Sequence, residues 1–324
     1  MRTRRAWLAS TFVIFGLLSA NDAFAIDPPG GDSHNKPASS ARYAVVGYIP
    51  NYHVDRLEQF DLNRLTDLIF FSIEPTADGG VDRQTLTPET LSHLQSLKSK
   101  HGFRLLVSVG GWGRSNHFAA MARNLANRRR FIVELTRFCV NNQFDGVDYD
   151  WEHPANPGEE SAYASLISET KKSFQSRRMI VTAALAAWQK MPKEGLKALD
   201  RIHLMAYDHE QRHSTVEHAT ADIDLMIKRG VPASKLCLGA PLYGRMIKDA
   251  NQVMTYGEIV GRYHPAANVD EVDDCYFNGV ETMKRKAAIV RDRGLAGMMI
   301  WEVGQDAPGD ASLLKAIATD LNAP

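Results

Sequence analysis

Cysteine is scarce: Cys139, Cys237 and Cys275 are the three in 324 residues. Three thiols cannot build a disulfide scaffold, and an odd number leaves at least one without an intrachain partner, so a hydrophobic core has to carry stability. Cys139 falls in a helical pattern and Cys237 in the apolar run Lys235–Leu238, places that suit small buried hydrophobes rather than reagents. An excess of one charge is also missing. Lys plus Arg number 38 and Asp plus Glu 38, so no net field draws the chain toward a phosphate backbone or anionic lipid, and neither is an expected partner. Arg128-Arg129-Arg130 reads as the solvated face of a helix. There is no CxxC pair, no His-x3-His grouping and no GxGxxG after the first apolar run; no metal, cofactor or dinucleotide site is expected.

Long apolar runs are lacking as well. The longest uncharged one, Ala6–Ala20, falls short of the roughly 18–20 residues a transmembrane helix needs. Arg2, Arg4 and Arg5 precede it and Ala23-Phe24-Ala25 follows, the layout of a cleavable secretory signal. The expected organisation is a signal peptide over 1–25, a polar linker over 26–42 rich in Pro, Gly, Ser and Asn, and one folded unit over 43–324. The product would be extracellular or periplasmic, without a membrane anchor, and monomeric.

What is present is regular alternation. Short apolar runs at Ala44–Ile49, Asp67–Ile73, Arg104–Val109, Gly146–Asp150, Met179–Ala184, Arg201–Ala206, Lys235–Leu238 and Ala296–Trp301 are separated by helical patterns. Thr87-Pro88-Glu89 opens one helix and Gly102 closes it. Phe118–Val140 reads as one long helix, and Glu159–Phe174, Val216–Arg229, Glu281–Arg293 and Ala311–Leu321 follow. Repeated β-α units without a nucleotide-binding turn favour a closed (β/α)8 barrel over an open doubly wound sheet.

Chemistry concentrates in Phe144-Asp145-Gly146-Val147-Asp148-Tyr149-Asp150-Trp151-Glu152-His153-Pro154. Alternate side chains of a strand face opposite ways, so Asp148, Asp150 and Glu152 share one face while Val147, Tyr149 and Trp151 share the other. In a barrel the apolar set packs beneath the helices and the acids rise through the interior toward the carboxyl end, where catalysis sits. Like charges about 6–7 Å apart in a low dielectric are costly, and no structural need asks for them. The two inner carboxyls are expected to share a proton, and the negative charge near Glu152 to keep it protonated near neutrality, as a general acid requires. That equipment suits a glycosidase.

Asp145-x-x-Asp148-x-Asp150-x-Glu152 resembles the DxxDxDxE signature of glycoside hydrolase family 18, and its Asp-Trp-Glu order looks like the chitinase branch. Ser108-Val109-Gly110-Gly111-Trp112 is similar to the family's third-strand SxGG motif, Met205-Ala206-Tyr207-Asp208 to its sixth-strand MxYD motif, Gly239–Arg245 to its seventh-strand segment and Met299–Glu302 to its eighth. The resemblance runs from about Tyr43 to Leu321. It implies cleavage of β-1,4-linked N-acetylglucosamine polymers without a protein nucleophile, the substrate's own acetamido oxygen attacking the anomeric carbon. By this resemblance Glu152 is the acid and base, Asp150 holds the acetamido N–H and offsets the oxazolinium charge, Asp148 shares a proton with Asp150, and Tyr207 orients the acetamido carbonyl.

Trp301 would floor the reacting sugar, with Tyr48, Trp112, Gly111, Met205, Asp208, Tyr243 and Arg245 among the sugar contacts, and Asp145, Ser108 and Gly110 in structural roles. His153 stands where the family usually has Tyr. Only about fifty residues, Met246–Leu295, separate the last two strands, so the family's α+β insertion is expected to be shortened and the groove shallow. Alternative readings are an endo-β-N-acetylglucosaminidase acting on N-glycans or peptidoglycan, and a sugar-binding lectin; the intact Glu152, Asp150 and Tyr207 speak against the lectin.

Overall fold

The computed structural model describes residues 43–322; the expected signal and linker lie outside them. Eight parallel strands run as β1 Ala44–Pro50, β2 Asp67–Pro75, β3 Arg104–Gly110, β4 Gly146–Asp150, β5 Ile180–Leu185, β6 Arg201–Leu204, β7 Leu236–Pro241 and β8 Gly297–Trp301. Each pairs with its sequence neighbours, and β1 pairs with both β2 and β8, which closes the barrel. All eight expected strands are present.

Around them lie α1 Pro88–His101, α2 Phe118–Arg123, α3 Leu125–Asn141, α4 Pro157–Gln175, α5 Lys193–Ala198, α6 Val216–Lys228, α7 Tyr256–Tyr263, α8 Val280–Asp292 and α9 Leu313–Leu321. Thr87 caps α1 by accepting from Thr90 N–H at 3.2 Å, and Gly102, at φ +78°, ends it. A 3-10 helix, Asn51–Gln59, replaces an α-helix after β1. The long helix expected over Phe118–Val140 is two. Asn124 leaves the helical region, and its side chain accepts from the N–H groups of Ala126 and Asn127, which starts α3 afresh.

Alternation sorts each strand as anticipated. Val147, Tyr149 and Trp151 join the core between sheet and helices, while Val46, Tyr48, Ile69, Phe71, Leu106, Cys237 and Met299 form a second cluster inside the barrel. All three cysteines are buried and free.

The barrel floor is ionic. Asp67 is fully buried, and its Oδ1 meets Arg104 Nε at 2.7 Å and Arg201 Nη2 at 2.9 Å. Burial alone would raise its pKa, but Arg201, Arg104 and the Thr66 hydroxyl outweigh it and hold the carboxyl at about 2. A folded-state value below the unfolded value of about 3.9 means the cage stabilises fully above that unfolded value and loses its contribution as pH falls through about 2. Asp67→Asn, leaving two arginines uncompensated, is expected to cost about 3–5 kcal/mol, read as a lower urea midpoint at neutral pH.

Between β7 and β8 the chain builds a small unit of its own. Val253–Thr255, Tyr243–Met246, Cys275–Tyr276 and Glu271–Val272 make an antiparallel sheet in that order, and α7 follows a Thr255–Glu258 capping box. The insertion is compact, and it brings Tyr243 and Arg245 to the rim of the barrel.

Candidate active site

A cavity of about 600 Å³ opens at the carboxyl end of the strands, lined by Asp150, Glu152, Tyr207, Asp208, Trp301, Met205, Tyr243, Arg245, Trp112 and Tyr48 among others. Residues from the ends of all eight strands thus converge where the sequence pattern placed the chemistry. Three non-proline cis peptides lie beside it, Phe71-Ser72 within β2 and Glu152-His153 and Trp301-Glu302 at the ends of β4 and β8.

The acid ladder is built by β4. Asp148, at the bottom and fully buried, accepts from Tyr48 Oη at 2.6 Å, from the Thr182 hydroxyl, and faces His203 Nδ1 at 2.9 Å. Asp150 stands above it on the same strand face, between Asp148 and Glu152. Burial, with the charges of Glu152 and Asp148 adding to it, pushes Asp150 well above the ordinary carboxyl range. Its Oδ1 is buried with no partner.

Glu152 is pushed up to about 7. Burial is the main cause, and the charge that adds to it is that of Asp208, across the mouth, rather than the next rung of the ladder; the hydrogen bond with Asp150 pulls the other way. Its backbone is fixed by Ser115, whose Oγ accepts from Glu152 N–H at 3.0 Å and donates to Gly111 O at 3.1 Å. His153 supports the protonated form. Gln189 donates Nε2 to Trp151 O, so its Oε1 takes the proton of His153 Nδ1, leaving Nε2 of the neutral ring as an acceptor 3.5 Å from Glu152 Oε2. Burial lowers the His153 pKa, in keeping with a neutral ring.

Asp208, at φ +63°, is gripped by Arg245 Nε at 2.7 Å and by the Tyr243 hydroxyl, with His213 Nδ1 3.6 Å away. Burial would raise it, yet these three neighbours hold it at about 2. It stays ionised at any working pH and disfavours loss of the Glu152 proton. The alkaline limb of kcat/KM is therefore expected near pH 7, and Asp208→Asn should move it to lower pH, because a negative charge that helped retain the proton is gone; initial-rate profiles on one substrate measure both.

Tyr207 lines the cavity, its hydroxyl donating to Met299 Sδ at 3.9 Å. Trp301 meets Phe71 edge-on and Tyr48 at a tilt, ring centroids 4.7 and 5.7 Å away. Trp112 is 80% exposed at the rim and Met205 half-buried in the lining. Asp145 bonds Leu105 N–H and Lys98, pinning the strand end, and Ser108 is buried beside Asp148 in register. Gly110, at φ +94°, packs so closely that a Cβ would lie 2.5 Å from Asp150 O.

Two of the expected sugar contacts are tied to the protein as well. Tyr48 lines the cavity but is 1% exposed, its hydroxyl bonded to Asp148 and His203. Gly111 gives its N–H to Asp150 O at 2.6 Å. Both position the ladder. Ser115, Thr182, Gln189, Trp188 and His203 were not singled out by any motif, since they come from segments that only barrel closure brings beside β4. Among the described residues no group of His, Cys, Asp and Glu is arranged to hold a metal ion.

A family model described as glycosyl hydrolases family 18 matches residues 44–306. The chain belongs to this family. As a family 18 glycoside hydrolase it is 27% identical to chitotriosidase-1 of Mus musculus, over 86% of this chain and 78% of that protein. Among solved structures it superposes on the family 18 chitinase ChiB from the chitin utilization locus of Flavobacterium johnsoniae with a TM-score of 0.79 and 26% identity, covering 87% of this chain and 94% of that one. Human YKL-39, described as a pseudo-chitinase with retained chitooligosaccharide binding properties, shares the fold at TM-score 0.76 and 20% identity, over 87% of this family 18 chain and all of that one.

Proposed function

We propose that this chain is an exported chitinase that hydrolyses β-1,4 bonds between N-acetylglucosamine units with retention, the substrate's acetamido oxygen acting as nucleophile. The observation that carries the mechanism is that Asp150 and Glu152 come two residues apart at the end of β4 and both line the cavity. A retaining glycosidase with a protein nucleophile sets its two carboxyls about 5–5.5 Å apart, one on each side of the sugar. Neighbours on one strand face meet a sugar from the same side, so Asp150 is not the nucleophile for which Glu152 is the acid. The two side chains suit an acetamide: the Asp150 carboxyl would accept its N–H, and the Tyr207 hydroxyl, whose protein acceptor is the weak Met299 Sδ, would donate to its carbonyl.

In the first step Glu152 protonates the glycosidic oxygen as the acetamido oxygen closes on the anomeric carbon; the leaving chain departs as an alcohol and a cyclic oxazolinium remains. Asp150, turning from Glu152 to the acetamido nitrogen, offsets its positive charge. Glu152, now a carboxylate, takes a proton from water as that water opens the ring, and the acid is restored. Trp301 would stack on the pyranose face beneath. The chitin substrate is supported by the chitinase relatives, and export by the sequence of residues 1–25.

Digesting chitohexaose, an N-glycoprotein and peptidoglycan side by side tests the substrate: release of short N-acetylglucosamine oligomers from the first alone is expected, and preferential release of N-glycans would sink the chitin assignment. N-terminal sequencing of the secreted product should begin at Ile26.

A further inference from the structure

Lys286, in the middle of α8, is fully buried, and its three hydrogen-bond partners are all neutral oxygens. Its Nζ donates to Ser214 O at 2.8 Å, to Ser214 Oγ at 2.7 Å and to Asn278 Oδ1 at 2.7 Å. Burial lowers its pKa to about 7, with the charges of Asp270, Asp222 and Glu217 resisting and that of Arg285 adding. A methionine would fill the same volume without desolvating a cation. Packing therefore does not account for a lysine here.

The three bonds lead toward the active site. An ammonium donates and cannot accept, so the one Ser214 hydroxyl proton is left to bond Ala206 O, 2.9 Å away. Asn278 Nδ2 donates to Ser214 O at 2.9 Å, which keeps its own Oδ1 turned to Lys286. Ala206 and Ser214 are the two ends of one loop, and its first residues are Tyr207 and Asp208. Inside it His209 N–H bonds His213 O at 3.1 Å. Asp208 and Gln211 stand at φ +63° and +59°, and such left-handed residues without glycine persist only where the surroundings hold them. The buried cation, at the foot of the loop, supplies that hold.

We propose that Lys286 is a positioning residue for Tyr207 and Asp208, clamping through Ser214 the loop that carries both. The effect on rate rests on the proposed function: a slack clamp would shift the hydroxyl that orients the acetamide and the carboxylate that keeps Glu152 protonated.

The test compares wild type, Lys286→Met, Ser214→Ala and the double variant in two ways. On chitotetraose at about pH 6, where the Lys286 ammonium predominates, each single variant is expected to lose about tenfold to a hundredfold in kcat/KM, the scale of a misplaced catalytic group. The double variant should lose no more than the worse single one, because both cut the same chain of contacts. Without substrate, ¹³C NMR of glutamate-labelled protein, with Glu152→Gln to assign the signal, follows the Glu152 carboxyl through its titration. Removing the Lys286 charge by itself would raise the Glu152 pKa, whereas a displaced Asp208 lowers it; a fall in both single variants is expected. A rise or no change in Lys286→Met, wild-type rates, or losses that add in the double variant overturn the clamp. Should Lys286→Met fail to fold, Ser214→Ala, which alters no charge, decides alone on both measurements. Wild type inactive on chitotetraose brings down the chitinase reading, while the Glu152 titration still judges Lys286.

Discussion

A β-glucoside should be cut more than about 10³-fold more slowly than the N-acetylglucosaminide of the same length and leaving group. Removing the 2-acetamido group leaves the ring, its hydroxyls and its stacking on Trp301 untouched, so binding changes only through the contacts offered by Asp150 Oδ1 and the Tyr207 hydroxyl. Leaving such polar groups unpaired costs about 1–3 kcal/mol, at most a few hundredfold. Loss of an intramolecular nucleophile removes an advantage of up to about 7–11 kcal/mol. The two explanations thus differ by orders of magnitude, and kcat/KM on a matched pair of 4-nitrophenyl glycosides separates them. Comparable rates, with a covalent sugar trapped on Asp148 or Asp150, would return the enzyme to the two-carboxylate scheme.

Glu152→Gln is expected to lower kcat by about 10²–10⁴-fold, the share general acid–base catalysis supplies, with KM within a few fold of wild type. The amide matches the carboxyl in size and can still hydrogen-bond Asp150 and face His153, so the pocket keeps its shape and loses only its transferable proton. The alkaline limb near pH 7 should vanish with it, since the group pushed up to about 7 is gone. Reducing-end release across pH measures both, and near-wild-type turnover would place the acid elsewhere. With its proton donor gone, the variant is expected to bind without cutting, the behaviour described for YKL-39.

The barrel and the acid ladder could be read from the chain because each is encoded locally. One strand supplies Asp148, Asp150 and Glu152 at period two, and eight apolar runs at regular spacing leave little choice of architecture. The break at Asn124 was missed because the apolar period of α2 runs into α3, and only the Asn side chain marks the restart. The insertion sheet was missed because strands of two to four residues carry no period. Partners of the ladder lie in registers that closure alone defines: Thr182 on β5 and His203 on β6 meet Asp148, and Tyr48 arrives from β1. An aromatic near a strand end therefore suggested sugar contact for Tyr48 when its hydroxyl is turned inward. Which neighbour raises Glu152 was beyond sequence for the same reason, since Asp208 comes from the far side of the mouth.

The ionic cage of Asp67, Arg104 and Arg201 gives the barrel one working face. Its charges satisfy one another at the amino ends of the strands, and Asp148 above them is buried against Tyr48, Thr182 and His203. Asp150 and Glu152 line the cavity at the other end, so the acid that gives up a proton and the water that restores it meet at the same mouth that receives the sugar chain.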